Sequence, residues 1–545
     1  MELGIESNFM KYLINLINSI SVENLYFFHF LIPFTITMMI MPFGVKILTY
    51  YKVMDLPDPR KVHDLPKPST GGILIFLCFI LSVILLIPFN GIIPAYLVGA
   101  GFLVLIGFMD DVNPISPYLK FITQILASFI FISITRLTFT VPGFENSIFI
   151  SFFFTLIFMV SVTNSLNLID GLDGLASGIS IVILSVIAIS IGLPNNLVII
   201  ILICCIFGFL RANTFPAMIF MGDSGSYFLG YSISIFILQM YQLNHINILN
   251  IPIILGVPFL DTTWVFIKRI YEKKNIFLPD QNHLHHIIQS KGVKHKNVVF
   301  LLYSIQGLFA VLFLFINSDY KLFKILPLLI IVPLAMQHIY LVFRDDLGNV
   351  RDYTINIYSK VFTMIPWLKN AYVPFFLINL CILFYILTIT SIELQKGHLY
   401  MIILSLMCSF MFILDNNSGR TSNVSIGMIL LAWLSFYFSE NNAYRLFHIN
   451  PDMILTFLGM GVLLSILGLF KTYHIFDSPT EYLSIILLTL TFLYPSSIEL
   501  NRIGFHLIFL FLVYKVLLQN RIVREFNIIY WINFLALCLL IIKNI

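Results

Sequence analysis

Four polar residues recur at every third position between residues 164 and 173: Asn164, Asn167, Asp170 and Asp173. Residues three apart share a helix face, so the spacing predicts one stripe of two carboxamides and two carboxylates. Oxygen donors of this kind suit a hard cation such as Mg²⁺. Gly171 and Gly174 would let a phosphate or nucleotide approach the backbone closely. The same residue types also suit a plain polar turn. The stretch lies between two strongly apolar runs, 149–162 and 179–193, so carboxylates there need a reason.

Four other polar segments carry similar chemistry. Residues 55–72 combine Arg60, Lys61, His63 and Lys67 with several prolines and with Gly71 and Gly72. Proline stiffens such a loop, and Arg and Lys donate to phosphate; an ordinary basic loop that sets topology accounts for the charge alone. Asp110 and Asp111 follow an apolar run and precede Lys120 and Gln124. Adjacent carboxylates repel, which raises one pKa; the pair is read as a base, as a cation holder, or as a solvated helix end. Residues 220–226, Phe-Met-Gly-Asp-Ser-Gly-Ser, look like a helix N-terminus that gathers an anion. Asp223 would hold a metal beside that anion, or simply cap the helix. Residues 268–297 contain Arg269, Pro279, Asp280, His283, His285, His286 and several lysines. The histidines lack a zinc pattern and suit phosphate better; an exposed basic linker is the alternative.

These segments need a membrane scaffold. The chain has 545 residues, 59% hydrophobic and 11% charged, against roughly 25% charged in soluble domains. The six cysteines sit in apolar runs and read as reduced packing residues. The net charge of +4 is small, and no nucleic-acid partner is expected. Residues 1–25 lack a basic start and a cleavage site and are expected to form an interfacial helix. Spans of about 20 apolar residues fall near 27–49, 71–89, 92–108, 120–137, 147–164, 175–193, 196–211, 224–242, 249–267, 298–317 and 322–343. The expected fold is an all-α polytopic transmembrane helix bundle. About 10–11 spans form the core and about seven more follow.

With the basic loop 50–70 inside by the positive-inside rule, alternation puts 109–119, 164–175, 211–223 and 268–297 on the same cytoplasmic side. The opposite loops 90–91, 194–195 and 243–248 carry no Lys or Arg. All five polar segments therefore meet at one face.

Together the segments resemble one family, the polyprenyl-phosphate N-acetylhexosamine-1-phosphate transferases, over roughly residues 40–310. The resemblance rests on Arg60-Lys61-x-His63 with Gly71-Gly72, Asp110-Asp111, and Asn164-x-x-Asn167-x-x-Asp170-Gly-x-Asp173-Gly-Leu. It continues through Phe220-Met-Gly-Asp223-x-Gly-Ser to Arg269 with Pro279-Asp280 and His283-Leu-His-His. The His-Leu-His-His form is similar to the N-acetylglucosamine branch, while Gln281 departs from the basic residue common there. The resemblance implies a UDP-N-acetylhexosamine donor, a polyprenyl phosphate acceptor, Mg²⁺ with Mn²⁺ as an alternative, and release of UMP at the inner (plasma) membrane. It implies Asn167 and Asp223 as metal ligands, and Asp110 as base or acceptor-orienting residue with Asp111 beside it. Asp170 and Asp173 would position donor or metal, and Phe220 would stack on uracil. Arg269, His283, His285 and His286 would hold the diphosphate, with Lys67 and Lys120 as further phosphate contacts. Direct attack and a covalent aspartyl-phosphate route fit equally. Membrane lipids are partners, and a homodimer is left open.

A transporter or flippase is the other reading, since intramembrane charge marks substrate paths. Transporter sites, however, tend toward the midplane, and these charges sit at span ends. The expected domains are residues 1–343, carrying the chemistry, and 344–545, additional spans without a motif.

Overall fold

The computed structural model describes residues 22–55, 66–192, 195–273 and 283–317, with Leu483, Ile486 and Leu487. Arg60, Lys61, His63, Pro279, Asp280 and Gln281 lie outside these residues. So do the interfacial helix expected over 1–25, except for its last four residues, the span at 322–343, the boundary at 343/344 and nearly all of 344–545.

The described residues are almost wholly helical. In chain order they form α1 (Val22–Tyr50), a short hairpin of β1 (Met54–Asp55) and β2 (Lys67–Pro68), α2 (Gly71–Leu86), α3 (Ile93–Val112) and α4 (Pro117–Thr135). There follow α5 (Ile148–Ile169), α6 (Leu175–Ile191), α7 (Leu197–Asn213), α8 (Gly222–Gln242), α9 (Ile251–Tyr271), the short α10 (Leu284–Ser290) and α11 (His295–Asn317). Ten of the eleven expected core spans coincide with these helices, because run length and hydropathy are what a bilayer selects. Among the described residues, six helices are long and apolar enough to cross a membrane, including α3, α4, α5 and α11. A shorter apolar set comprises α2, α6 and α7. This is the all-α polytopic bundle expected.

The bundle is built around α8, which packs against α2, α3, α5 and α6. Almost all of α8 is buried, yet it is rich in Gly and Ser. In a membrane, small residues let helix backbones approach and gain dispersion contact. The approach is close enough to exclude any side chain at two neighbours. A Cβ on Gly72 would lie 2.0 Å from the Gly225 nitrogen, and one on Gly107 would lie 2.4 Å from the Ser224 Cα. The first turn of α8 is thus clasped between α2 and α3. Backbone pairing adds to this clasp: Gly71 N–H donates to Phe220 O at 2.9 Å, Gly72 N–H to Met221 O at 2.8 Å, and Phe220 N–H to Pro68 O at 2.8 Å.

α9 breaks at Gly256, where φ is +39°, a left-handed value that glycine accepts without a Cβ clash. Pro258 follows and has no N–H to give. Gln306 of α11 mends the gap: its Oε1 accepts from Val257 N–H at 2.9 Å and its Nε2 donates to Ile254 O at 2.9 Å. Ser165 of α5 donates to Pro258 O at 2.9 Å and accepts from Thr262 at 2.8 Å. Backbone groups that lipid would leave unsatisfied are paired within the bundle.

Candidate functional site

The stripe expected over residues 164–173 is not one helix face. α5 ends at Ile169, Asp170 takes a non-helical conformation, and α6 begins at Leu175 after Gly174 at φ +79°. Only Asn164 and Asn167 share the helix, and Asn164 is exposed. The glycines are also not a phosphate cradle. A Cβ on Gly171 would lie 2.2 Å from Nε2 of His285, so an imidazole fills that space. Gly174 N–H donates to Asn213 Oδ1 at 3.1 Å, and Gly174 O accepts from Tyr303 at 2.6 Å.

What the fold builds instead is a polar cluster around the N-terminus of α8. Asp223, in its first turn, is the hub. Its Oδ1 accepts from Asn167 Nδ2 at 2.9 Å, and its Oδ2 accepts from Lys120 Nζ and from Tyr227 OH, each at 2.9 Å. Asn167 Nδ2 also reaches Ser226 Oγ at 3.0 Å. The amide nitrogen, not the oxygen, therefore faces Asp223, and Asn167 holds Asp223 in place. Lys120 bridges to Asp110 Oδ2, while Asp110 Oδ1 accepts from Ile115 N–H at 2.8 Å. Asp111 points the other way. Its two oxygens accept from Asp223 N–H at 2.8 Å and from Ser224 Oγ at 2.8 Å, so it caps α8 from a neighbouring helix.

Asp170 adjoins this cluster. No hydrogen-bond donor among the described residues reaches its carboxylate. Burial, reinforced by the negative charges of Asp223, Asp111 and Asp173, pushes its pKa well above the usual carboxylate range. Asp173 forms a second grip: its Oδ2 accepts from Ala217 N–H at 2.8 Å and lies 3.9 Å from Lys67 Nζ. The Lys67 ammonium also sits 5.1 Å from the centroid of the Phe220 ring.

The histidines stand on the far side of Gly171. His285 is buried against it, and burial beside His286 holds its imidazole down to about 3, hence neutral. Burial lowers His286 as well. The His283 and His285 rings are nearly parallel, 5.9 Å apart, and His285 lies 4.2 Å from His286. Arg269 is buried in the last turn of α9.

Every described residue singled out by sequence as a site residue thus lies at one end of the bundle: in β2, at the adjoining termini of α3 to α9 and the segments between them, or in and just before α10. Two contributors carry no mark in the sequence reading, Tyr227 and Asp261. Tyr227 reads as an ordinary span residue, whereas Ser226, which bonds Asn167, belongs to the 220–226 segment. Asp261 was overlooked inside a span, although a charge there is itself a functional signal; it bonds His283 at 2.7 Å. Among the described residues, no three His, Cys, Asp or Glu side chains form a ready metal cage. Mg²⁺ does not require one, because it binds through one or two carboxylates together with substrate phosphates. Asp170, whose carboxylate no described donor reaches, together with Asp223, whose negative charge acts on it, fits that pattern.

The comparisons point the same way. A model of glycosyl transferase family 4 matches residues 93–241. A probable undecaprenyl-phosphate N-acetylglucosaminyl 1-phosphate transferase of Bacillus subtilis is 37% identical over 300 residues, 52% of this chain and 82% of its own length. An undecaprenyl-phosphate alpha-N-acetylglucosaminyl 1-phosphate transferase of Thermotoga maritima is 30% identical over 321 residues, covering 59% of this chain and 98% of that protein. One from Escherichia coli K12 is 26% identical over 288 residues, with 49% and 78% covered.

Proposed function

Because the chain belongs to glycosyl transferase family 4, we propose that it transfers N-acetylglucosamine-1-phosphate from a UDP-sugar to undecaprenyl phosphate, releasing UMP. The observation that carries this is the convergence of Asp110, Lys120, Asn167, Asp170 and Asp223 at one end of a membrane bundle. The site faces the cytoplasm of the inner (plasma) membrane, where a soluble nucleotide sugar can meet a lipid phosphate. No observation favours the transporter reading.

The chemistry asks for charge neutralisation and alignment. A phosphate monoester has a second pKa of about 6, so the acceptor is already a dianion at neutral pH and needs no general base. Direct in-line attack on the sugar-proximal phosphorus follows, and catalysis is positioning plus electrostatics. Both oxygens of Asp110 and both of Asp111 already accept hydrogen bonds. Asp110 therefore aims Lys120, and Asp111 fixes the helix that carries Asp223. Lys120 sets a positive charge where anions must approach each other. Lys67 and Phe220 offer an ammonium and a ring face to the nucleotide half. Arg269 and the histidines contribute donors to the diphosphate. Asp170 and Asp223 would hold Mg²⁺, with Asn167 keeping Asp223 in register. When bound, the ion would neutralise the diphosphate oxygens and the departing UMP.

The direct test is UMP release by purified protein in detergent, supplied with UDP-GlcNAc or UDP-GalNAc, polyprenyl phosphate and Mg²⁺. Release that needs all three components is expected, with UDP-GlcNAc the better donor. No release with any UDP-N-acetyl-sugar would overturn the reading.

A further inference from the structure

Asp261 has no part in the reaction as set out above, yet it is the most deeply buried carboxylate described, 1% exposed within an apolar helix. A carboxylate there is costly unless it is paired and fully hydrogen-bonded. Both of its oxygens are engaged. Oδ2 lies 2.7 Å from His283 Nδ1, and Oδ1 accepts from Leu284 N–H at 2.6 Å. Two bonds to consecutive residues leave the carboxylate no freedom to rotate.

The support beneath it is equally fixed. Asp261 stands one turn beyond the break at Gly256 and Pro258, which Gln306 and Ser165 stitch from two other helices. An ionised carboxylate only accepts hydrogen bonds, so Nδ1 of His283 must carry a proton. The nitrogen then left to interact with anything else is Nε2. The His283 ring stacks parallel to His285, which rests on Gly171, the residue after Asp170.

We propose that Asp261 is a positioning residue for the transfer reaction. It locks His283 with the proton on Nδ1, so that Nε2 is the atom His283 offers to the diphosphate. The effect on turnover rests on the transferase reading; the proton position can be measured without it.

Asp261→Asn separates charge and proton placement from shape. Asparagine has one acceptor and one NH₂ donor. Leu284 N–H can only donate, so the amide oxygen stays with it and the NH₂ turns to His283 Nδ1. The imidazole proton is driven to Nε2. The expected result is a kcat about 10–100-fold lower, with KM for UDP-GlcNAc little changed. The double variant Asp261→Asn/His283→Gln should then be no slower than His283→Gln alone, because Asp261 acts through His283. Losses that multiply would overturn the proposal. If Asp261→Asn does not fold, ¹⁵N-histidine NMR of the unsubstituted protein decides, with His283→Gln used to assign the signal. A protonated Nδ1 on His283 supports the proposal, and a bare Nδ1 ends it. Failure of wild-type UMP release would instead strike the function, leaving the NMR result intact.

Discussion

The carboxylate of Asp111, on α3, caps the helix that carries Asp223: the Asp223 N–H donates to Asp111 Oδ1 at 2.8 Å. The unsatisfied N–H groups of a helix start normally find a side chain a few residues away in sequence. Here the cap comes from 112 residues earlier. Asp110 and Asp111, which look alike in sequence, therefore have different partners: Asp111 fixes the start of α8, and Asp110 pairs with Lys120.

Substituting Asp111 should separate a capping role from a chemical one. Asp111→Ala removes the cap and should cost about 0.5–2 kcal/mol of stability, read as a lower midpoint of thermal unfolding in detergent. Asp111→Asn keeps one acceptor for Asp223 N–H and can donate to Ser224 Oγ, so it should lose much less. If Asp111→Asn is fully stable but as inactive as Asp111→Ala, Asp111 belongs to the chemistry after all.

Asp223→Asn keeps the shape of the hub and loses its charge. Turnover should fall about 10²–10³-fold, the usual cost of removing one group that stabilises developing charge. Extra Mg²⁺ should restore a small part of it. As a cap, Asn equals Asp, so near-normal UMP release at ordinary Mg²⁺ would remove Asp223 from the metal site.

Asp170 predicts a pH dependence in the metal-free protein. Its pKa in the folded state is raised above the ordinary 3.8. The folded state then holds more protons than the unfolded state between those two values, so stability falls as pH rises through that window. With EDTA present, Asp170→Asn should flatten this slope and be the more stable protein near neutrality. Below pH 3.8 the two should converge. Mg²⁺ should stabilise the unsubstituted protein and do little for the variant. Parallel stability curves at all pH values would contradict the placement of Asp170 among unneutralised carboxylates.

Gly72→Ala tests the clasp around α8. The added Cβ would meet backbone, at 2.0 Å from Gly225 N and 2.2 Å from Gly225 Cα, with no flexible side chain to give way. Overpacking of this kind costs about 1–3 kcal/mol and should displace the Asp223 turn. Both the unfolding midpoint and UMP release should drop. A fully active and stable alanine variant would mean that α2 and α8 are further apart than described.

Sidedness is tested with single cysteines in a cysteine-free background. Cysteines at exposed Lys291 and half-buried Lys67 should resist an impermeant thiol reagent in intact cells and react after permeabilisation. Cysteines at Glu145 and Asn244, both exposed at the opposite end, should react from outside. Labelling of Lys291→Cys from outside would break the single-face arrangement.

Much of this protein was legible in its sequence. A bilayer selects for apolar runs of fixed length, so hydropathy alone located ten of the described helices, and the alternation of the spans brought their polar ends to one end of the bundle. Asp110, Lys120, Asn167, Asp170 and Asp223 were visible as polar residues at the ends of those runs.

What the sequence left open was decided by packing between distant helices. Periodicity suggested that Asn167 and Asp173 share a helix face, but α5 stops at Ile169 and the two face different partners. Adjacency grouped Asp110 with Asp111, yet successive residues on a helix point in different directions, so one meets Lys120 and the other the start of α8. The glycines at 72 and 107 acquire a reason only when another backbone is seen to occupy the space of their missing side chains. Asp261 and His283 are 22 positions apart, in different segments. Local patterns report the solvent that each residue must face. Only the tertiary structure chooses which side chain will satisfy a given hydrogen bond, because that choice depends on distances the linear chain does not contain.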